Sequence, residues 1–317
     1  GNVATNAGGL RAVKYGTTRD YVRQITVVLA NGEVMTLGSL NIKSSSGYDL
    51  LDLFIGSEGT LGIITEIRLK VVPLPSLSYG ILMSFDNVFK ATDATLEILK
   101  CGADASEIEL FEKDAVFYAE QHLGYSLQTD KGQAYLLVEI DGNEDIELQA
   151  RLALIETAVK DLALEVLVLK DKDEKVKVKQ IRDNILIGLM AYTQFEMLDE
   201  VVPINKFAAL IHYTKSLQDK HGISVLNFGH SGDGNVHTIL MRGDLSDEDW
   251  VEKRKALLNE LYQKVSDLGG LPSAEHGIGI VKKEYLINMT DDVNIKYMRK
   301  IKETFDPENR LNPGKLF

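Results

Sequence analysis

Two nearby histidines give this chain its clearest chemical signal. His230 and His237 flank a glycine-rich turn within the segment 229–237, whose sequence is GHSGDGNVH. The β-branched and apolar residues on either side predict two strands joined by a four-residue loop, a β-hairpin. Because side chains alternate in direction along a strand, His230, Asn235 and His237 are predicted to lie on one face of this hairpin. The two imidazoles would then lie within reach of a common ion.

A carboxylate two residues before another glycine completes the predicted ligand set. Glu275 lies in the sequence EHG at 275–277. Two neutral imidazoles and one glutamate, with one or more positions left open, are typical of a catalytic zinc or a related divalent ion. Asp233 is interpreted as a turn residue, because aspartate between two glycines commonly stabilises a loop by local hydrogen bonds. The residues therefore predict a metal site made by His230, His237 and Glu275.

Length, charge and cysteine content limit the class of protein. The chain has 317 residues, so two domains are expected, and its 44% hydrophobic residues can build a large core. A net charge of -12 argues against nucleic acid or anionic lipid as a partner. The single cysteine excludes an internal disulfide and fits a reducing compartment, so a cytoplasmic location is expected. No apolar stretch reaches the length of a membrane-spanning helix.

The N-terminal region contains several segments of small residues. Residues 1–9, 15–18 and 56–62 read GNVATNAGG, YGTT and GSEGTLG, and Asn31-Gly32 between them predicts a type I′ hairpin turn. They form neither a dinucleotide-binding fingerprint nor a Walker A sequence. The residues alone leave two interpretations open. One is a backbone-lined pocket for a large planar or phosphorylated ligand, and the other is a set of tight turns with no ligand.

Seven motifs, taken together, resemble a known family. They read ATNAGG, KYGTT, GYDL, GSEGTLGIITE, GHSGDGNVH, EHGIG and FDPENRLNPGK. In these motifs the chain resembles the FAD-linked oxidases of the vanillyl-alcohol oxidase and p-cresol methylhydroxylase superfamily. The resemblance spans residues 1–317 and is most specific to the branch of D-lactate dehydrogenase, the glycolate oxidase subunit and D-2-hydroxyglutarate dehydrogenase. Because that family carries an upstream lobe for the FAD pyrophosphate, this chain is expected to be N-terminally truncated and inactive by itself.

The resemblance implies an α+β fold in three parts. Residues 1–76 are expected to form the second lobe of the FAD-binding domain, ending at a linker marked by two prolines in the sequence Pro73-Leu74-Pro75. Residues 77–270 are expected to form an antiparallel, ferredoxin-like substrate domain that carries the metal site. Residues 271–317 are expected to form a C-terminal helical segment that returns to the FAD side.

The pattern of apolar residues places the individual elements. A strand is predicted at 63–72 in the first part. In the substrate domain, strands are predicted at 80–85, 107–110, 134–140, 164–169, 194–202 and 224–229. Amphipathic helices are predicted at 143–162 and 204–220.

The resemblance also implies roles for individual residues. The metal, which could be zinc, manganese or iron, would bind the substrate hydroxyl and carboxylate, while His276 would accept the hydroxyl proton. Arg182, expected at the start of an apolar helix after the charged run 170–179, would bind the substrate carboxylate through its bidentate guanidinium group. Its other interpretation is a solvated arginine. Asn235 is a further catalytic candidate, and the residues expected to contact FAD are Thr5, Asn6, Gly8, Gly9, Tyr15, Gly16, Thr17, Glu58, Gly59, Ile64 and Asn312.

Two classes of function remain open at this point. The first is an FAD- and metal-dependent dehydrogenase of a D-2-hydroxy acid, with D-lactate or glycolate favoured over D-2-hydroxyglutarate. Its electrons would pass to an electron-transferring flavoprotein, an iron-sulfur subunit or a quinone, and the enzyme could be a homodimer. The second is a non-catalytic partner subunit of a multi-subunit oxidase. The presence of His230, His237, Glu275 and His276 together favours the enzyme.

Overall fold

The computed structural model describes residues 1–129 and 131–317, which divide into two units. The first unit contains residues 1–9, 16–74 and 271–317, and the second contains residues 10–15 and 75–270. The boundary at 74/75 falls within the proline-containing segment expected from the sequence. The functional division at residues 76 and 270 stays a prediction.

The elements alternate between helices and short strands. The helices are α1 Asn2–Thr5, α2 Ala12–Tyr15, α3 Leu50–Phe54, α4 Val88–Lys100, α5 Lys113–Leu123, α6 Asp145–Val159, α7 Lys172–Asp183, α8 Ile185–Tyr192, α9 Phe207–His221, α10 Asp247–Asp267, α11 Lys283–Met289 and α12 Asp292–Phe305. The strands are β1 Val22–Val28, β2 Val34–Gly38, β3 Ile63–Leu69, β4 Leu77–Phe85, β5 Glu107–Glu112, β6 Ala134–Gly142, β7 Glu165–Leu169, β8 Phe195–Met197, β9 Glu200–Val201, β10 Ser224–His230 and β11 Asn235–Met241. Short 3₁₀ turns cover Thr18–Asp20 and Ile204–Lys206.

The first unit is built on a three-stranded antiparallel sheet in the order β2-β1-β3. Alternate residues of β1, among them Ile25 and Val27, are buried and pack with Phe54 of α3. The ring of Phe54 also meets Phe305 of α12 edge to face, with 5.1 Å between ring centroids. A small apolar core therefore joins the N-terminal and C-terminal parts of this unit.

The turn between β1 and β2 differs from the type I′ turn expected from the sequence. Gly32 has a positive φ of 87°, but its neighbour Asn31 does not, although a type I′ turn requires both. The amide of Gly32 donates to the carbonyl oxygen of Leu29, and the amide of Leu29 donates to that of Glu33. This is a three-residue hairpin loop in which a left-handed glycine follows an ordinary turn. The hairpin is confirmed, and the turn type was wrong.

The second unit contains an eight-stranded antiparallel sheet in the described residues. The order is β7-β4-β6-β5-β10-β11-β8, and β9 also pairs with β11. Strands β4 to β7, with their connecting helices, have the spatial order 4-1-3-2 of a ferredoxin-like unit. The remaining strands of the sheet are β10, β11 and the two short strands β8 and β9, which extend this unit beyond β5.

Several predicted element boundaries need correction. The strand expected at 194–202 is two short strands, β8 and β9, separated by Leu198 and Asp199. The strand expected at 63–72 ends at Leu69, before the prolines. Arg182 lies in the last turn of α7, because the charged run 170–179 is part of a helix that the Asp171 side chain caps. Within the described residues, no helix is both long and apolar enough to cross a lipid bilayer.

Helices α5 and α8 pack closely on one side of the sheet in the second unit, and a glycine permits this approach. A β-carbon at position 188 of α8 would overlap the carbonyl oxygen of Tyr118 and lie 2.9 Å from the amide nitrogen of Ala119. Since backbone atoms cannot give way as a flexible side chain can, any larger residue at position 188 must push the two helices apart.

We expect G188A to lower the free energy of unfolding by about 1–3 kcal/mol, a typical cost of overpacking. Gly80 offers a matched control in the same unit, because a β-carbon there would meet Lys175 and Leu169 at ordinary distances of 3.4 and 3.5 Å. The urea unfolding midpoints of wild type, G188A and G80A provide the measurement. Equal midpoints for G188A and wild type would contradict the close helix packing.

Candidate functional site

The hairpin that carries the two histidines forms as the sequence predicted. Strands β10 and β11 pair with Phe228 opposite His237, and residues 231–234 form the four-residue loop between them. The rings of His230 and His237 are neighbours, with 5.4 Å between centroids and an interplanar angle of 82°. Both residues are buried, at 6% and 5% exposure. The structure therefore brings the two predicted ligands of the second unit together on one face.

Glycines in this hairpin are required by close backbone approach. Gly234 has a φ of 87°, and a β-carbon there would overlap the carbonyl oxygen of Val202. At Gly229, with a φ of 151°, a β-carbon would lie 2.8 Å from the carbonyl oxygen of Asn235. The side chain of Asp233 accepts a hydrogen bond from the backbone amide of Asn235 at 3.3 Å, as a turn residue does. The loop's glycines thus let it turn tightly against the neighbouring strand end.

A buried glutamate contacts the Nδ1 atom of His230 from the neighbouring strand. Glu109 is opposite His230 in the pairing of β5 with β10, and one of its carboxylate oxygens is 2.6 Å from Nδ1 of His230. The other oxygen accepts from Nε of Arg182 at 2.6 Å, and Nη2 of Arg182 also contacts this carboxylate. Nη2 lies 3.4 Å from Nδ1 of His230. Glu109, Arg182 and His230 thus form one compact polar cluster.

The charge state of this cluster follows from its partners. Burial by itself raises the pKa of Glu109, but the positive charge of Arg182 and the interaction with His230 outweigh it, so the pKa is lowered overall. An ionised carboxylate can only accept, so the Nδ1 of His230 donates to it. The lone pair of a neutral His230 then resides on Nε2. This arrangement matches the carboxylate–histidine pairs that orient metal-binding imidazoles.

A second buried carboxylate lies near His237. Asp199, which is fully buried between β8 and β9, has an oxygen 3.9 Å from Nδ1 of His237. The same oxygen accepts from the side-chain amide of Asn235 at 3.1 Å, and that amide also donates to the Glu200 carbonyl oxygen at 2.9 Å. Asn235 is therefore held by the segment that interrupts the predicted strand 194–202.

The donor set of the second unit fits a divalent ion. Two imidazoles lie on one face, and each has a buried carboxylate near its Nδ1 atom. The side-chain oxygen Oδ1 of Asn235 is buried and has no hydrogen-bond partner within the described residues, so it is suited to a ligand. These are oxygen and nitrogen donors without sulfur, as zinc, manganese and iron accept.

Glu275, the predicted third metal ligand, and His276, the predicted proton acceptor, belong to the first unit. Their side chains are 3.8 Å apart between Nε2 and Oε1. The segment that carries them is fastened by Glu58, whose two carboxylate oxygens accept from the amides of Ile278 and Gly279 at 2.7 and 2.8 Å. Both carboxylate oxygens of Glu58 thus accept hydrogen bonds from the EHGIG segment, and these bonds hold that segment in place.

The residues expected to contact FAD lie mainly in turns of the first unit. Asn6, with a left-handed φ of 50°, accepts through Oδ1 from the Thr17 hydroxyl at 3.2 Å and from the Arg19 amide at 2.9 Å. Asn312 donates to the carbonyl oxygen of Glu58. Contacts therefore join Asn6 to Thr17 and Glu58 to Asn312. The rest of this set in the first unit comprises Thr5 at the end of α1, Gly8 and Gly9 in the loop after it, Gly16, Gly59, and Ile64 in β3.

Tyr15 is placed differently from the rest of that set. It ends α2 in the second unit, and its hydroxyl donates to Asp141 of β6 at 2.8 Å. Burial, followed by this hydrogen bond, raises the pKa of Tyr15. Lys14 also contacts Asp141, at 2.8 Å, so the end of α2 is fixed to the sheet. A contact between Tyr15 and FAD stays a prediction.

Glu109 and Asp199 are site residues that the sequence did not predict. A signal was present for the first, because Glu107 and Glu109 alternate with apolar residues in a strand that is otherwise core. A buried carboxylate in such a strand needs a cationic or hydrogen-bonding partner. Asp199 carries no such signal, because the apolar pattern predicts one continuous strand over 194–202.

The chain is similar to several known proteins. It is 40% identical to a D-lactate dehydrogenase of Anaerostipes hadrus, over 100% of this chain and 68% of that protein. It is 34% identical to the glycolate oxidase subunit GlcD of Bacillus subtilis, over 100% of this chain and 67% of that protein. A D-2-hydroxyglutarate dehydrogenase of Xanthomonas citri is 35% identical, over 100% of this chain and 68% of that protein.

Solved structures of low sequence identity share the fold. The structure of p-cresol methylhydroxylase with substrate bound matches with a TM-score of 0.75 and 16% identity, over 100% of this chain and 68% of that one. A 4-ethylphenol oxidase from Gulosibacter chungangensis matches with a TM-score of 0.73 and 16% identity, over 100% and 69%. The α+β fold expected from the resemblance, that of p-cresol methylhydroxylase-type oxidases, is thereby confirmed.

Two family models cover most of the sequence. Residues 1–38 match the FAD binding domain, and residues 75–316 match the C-terminal domain of FAD linked oxidases. The predicted FAD-contacting residues from Thr5 to Thr17 lie inside the first match, and the histidine hairpin lies inside the second. The chain belongs to the FAD linked oxidases, a family of flavin-dependent enzymes, in the branch that contains D-lactate dehydrogenase, glycolate oxidase subunit GlcD and D-2-hydroxyglutarate dehydrogenase.

Proposed function

We propose that this protein oxidises a short D-2-hydroxy acid to the 2-oxo acid, using FAD and a divalent metal ion. The observation that carries the proposal is the pair of buried imidazoles, His230 and His237, each with a buried carboxylate near its Nδ1 atom. The names of the relatives, which are D-lactate and D-2-hydroxyglutarate dehydrogenases and a glycolate oxidase subunit, support a 2-hydroxy acid as substrate. The electrons would leave through a protein or quinone acceptor.

The residues divide the work of alcohol oxidation. When bound, FAD supplies the hydride acceptor and a divalent ion supplies a Lewis acid that lowers the pKa of the substrate hydroxyl. His230 and His237 would hold the ion, with Glu275 as the proposed third ligand. His276 would take the hydroxyl proton, because an imidazole titrates near neutral pH. The side chain of His276 is 40% exposed, so a proton accepted there can pass to solvent.

Arg182 is the proposed partner of the substrate carboxylate. Its side chain is only 13% exposed and lies beside His230, which argues against a solvated arginine. Nε and Nη2 are engaged by Glu109, whereas Nη1 is 3.9 Å from Asp183, beyond hydrogen-bond distance. Nη1 can therefore donate to a substrate carboxylate while the rest of the guanidinium group stays fixed.

The strand beside His237 favours a substrate with a single carboxylate. Residues 183–205 contain neither lysine nor arginine. Met197 is opposite Ile239, so it lies on the same face of the sheet as His237, and it packs in the apolar cluster with Phe228. Asp199 follows on that face and adds negative charge. A second substrate carboxylate placed there would lose its hydration without gaining a cation, a cost of several kcal/mol.

We expect H237A to reduce turnover of D-lactate at least 100-fold in the FAD-loaded enzyme, while the flavin absorbance stays unchanged, because outer-shell changes alone already cost about 10- to 100-fold. Exhaustive treatment with a chelator should reproduce the loss, and added divalent ion should restore the rate. H212A, which removes an exposed histidine stacked on Phe89, serves as the control. Full activity of metal-free enzyme would contradict the proposal.

We further expect kcat/KM for D-lactate to exceed that for D-2-hydroxyglutarate and for L-lactate. Introducing a cation with M197K should shift the ratio toward D-2-hydroxyglutarate by at least about tenfold, since a charge-assisted hydrogen bond contributes about 1.5–3 kcal/mol. M197L controls for loss of the methionine itself. A wild-type preference for D-2-hydroxyglutarate would mean that a cation outside residues 183–205 binds the distal carboxylate, and this part of the proposal would be wrong.

A further inference from the structure

Helix α7 is attached to the sheet of the second unit by a row of three ion pairs. Lys175 is 3.0 Å from Glu139, Lys179 is 2.9 Å from Glu107, and Arg182 contacts Glu109. The cations are spaced four and three residues apart, so they lie on one face of the helix. All three carboxylates are buried. In each pair, a basic residue of α7 compensates the charge of a buried glutamate of the sheet.

The pair at the Arg182 end of the row differs from the other two in its partners. The Glu109 carboxylate contacts both Arg182 and the imidazole of His230. Its neighbour Glu107, two residues away on the same face of β5, is paired with Lys179, and within the described residues it forms no ion pair with a histidine. The two glutamates are thus both buried, lie on the same strand and pair with the same helix. They differ because Glu109 also contacts a proposed metal ligand, His230.

We infer that Glu109 is a positioning residue, which fixes the tautomer and orientation of His230 for metal binding and holds Arg182 toward the substrate carboxylate. The inference rests on the proposed function. Because an ionised carboxylate accepts hydrogen bonds only, it requires a proton on Nδ1 of His230 and leaves Nε2 as the electron-pair donor. The same carboxylate takes two donors of Arg182, so the orientation of that side chain depends on it as well.

The isosteric substitution E109Q removes this constraint. A glutamine side chain offers an oxygen that accepts and an amide that donates, so either tautomer of His230 can form a hydrogen bond with it. The substitution also removes the negative charge that holds Arg182. E107Q makes the identical chemical change in an equally buried environment, with Lys179 as the cation that loses its partner. It is therefore the matched control for any general cost of removing a buried charge.

The first experiment measures metal affinity in wild type, E109Q and E107Q by competition with a chromophoric chelator, using Zn²⁺ as the probe. We expect E109Q to bind the ion about 10- to 100-fold more weakly than wild type, the usual effect of losing an outer-shell carboxylate. E107Q should bind as wild type does, and both variants should keep their flavin absorbance. Equal affinity of E109Q and wild type would overturn the inference, and so would equal weakening in both variants.

The second experiment reads the tautomer directly in metal-free protein. Long-range ¹H–¹⁵N spectra of histidine-labelled protein, assigned with H230A, should show His230 protonated on Nδ1 in wild type and in E107Q, and a changed or mixed state in E109Q. A wild-type His230 protonated on Nε2 would overturn the inference even if E109Q fails to fold. If wild type binds no divalent ion, the proposed metal-dependent reaction fails, while this spectrum still decides whether Glu109 positions His230.

Discussion

The charge of Glu109, buried in the middle of a β-sheet, is the constraint on which the candidate site depends. A fully buried carboxylate is costly unless cationic and hydrogen-bonding partners surround it. Here the partners are Arg182 from the end of α7 and His230 from the end of β10. Satisfying one charge thus fixes three elements relative to one another. A buried ion pair is weak evidence for stability, so its value here lies in orientation.

The β10–β11 hairpin places the second histidine next to the one that Glu109 holds. Glu109 fixes His230 through its Nδ1 atom, and the register of β10 with β11 then places the His237 ring beside it. The glycines of the loop permit the tight turn that this register needs. Asp199 then holds Asn235 and lies near His237. The arrangement is asymmetric, since one histidine has a short carboxylate contact and the other has a longer one.

The sequence could predict the parts of this site that depend on local rules. Glycine, turn residues and strand alternation were enough to place His230, Asn235 and His237 on one hairpin face, because these features act over a few residues. The FAD linked oxidase family followed from motif residues distributed along the whole chain. The type I′ turn at Asn31-Gly32 was wrong because a single left-handed glycine satisfied the hairpin. The sequence does not reveal which buried acid meets which histidine, since the pairing of β5 with β10 joins residues more than 100 positions apart.

Binding of a divalent metal ion by His230 and His237 can be measured by X-ray absorption spectroscopy of the zinc-loaded protein, with H230A and H237A measured alongside. We expect a first shell of nitrogen and oxygen at about 2.0–2.2 Å, with the outer-shell scattering of two imidazoles reduced to one in each variant. A zinc environment without imidazole scattering, or one that is unchanged in both variants, would contradict it.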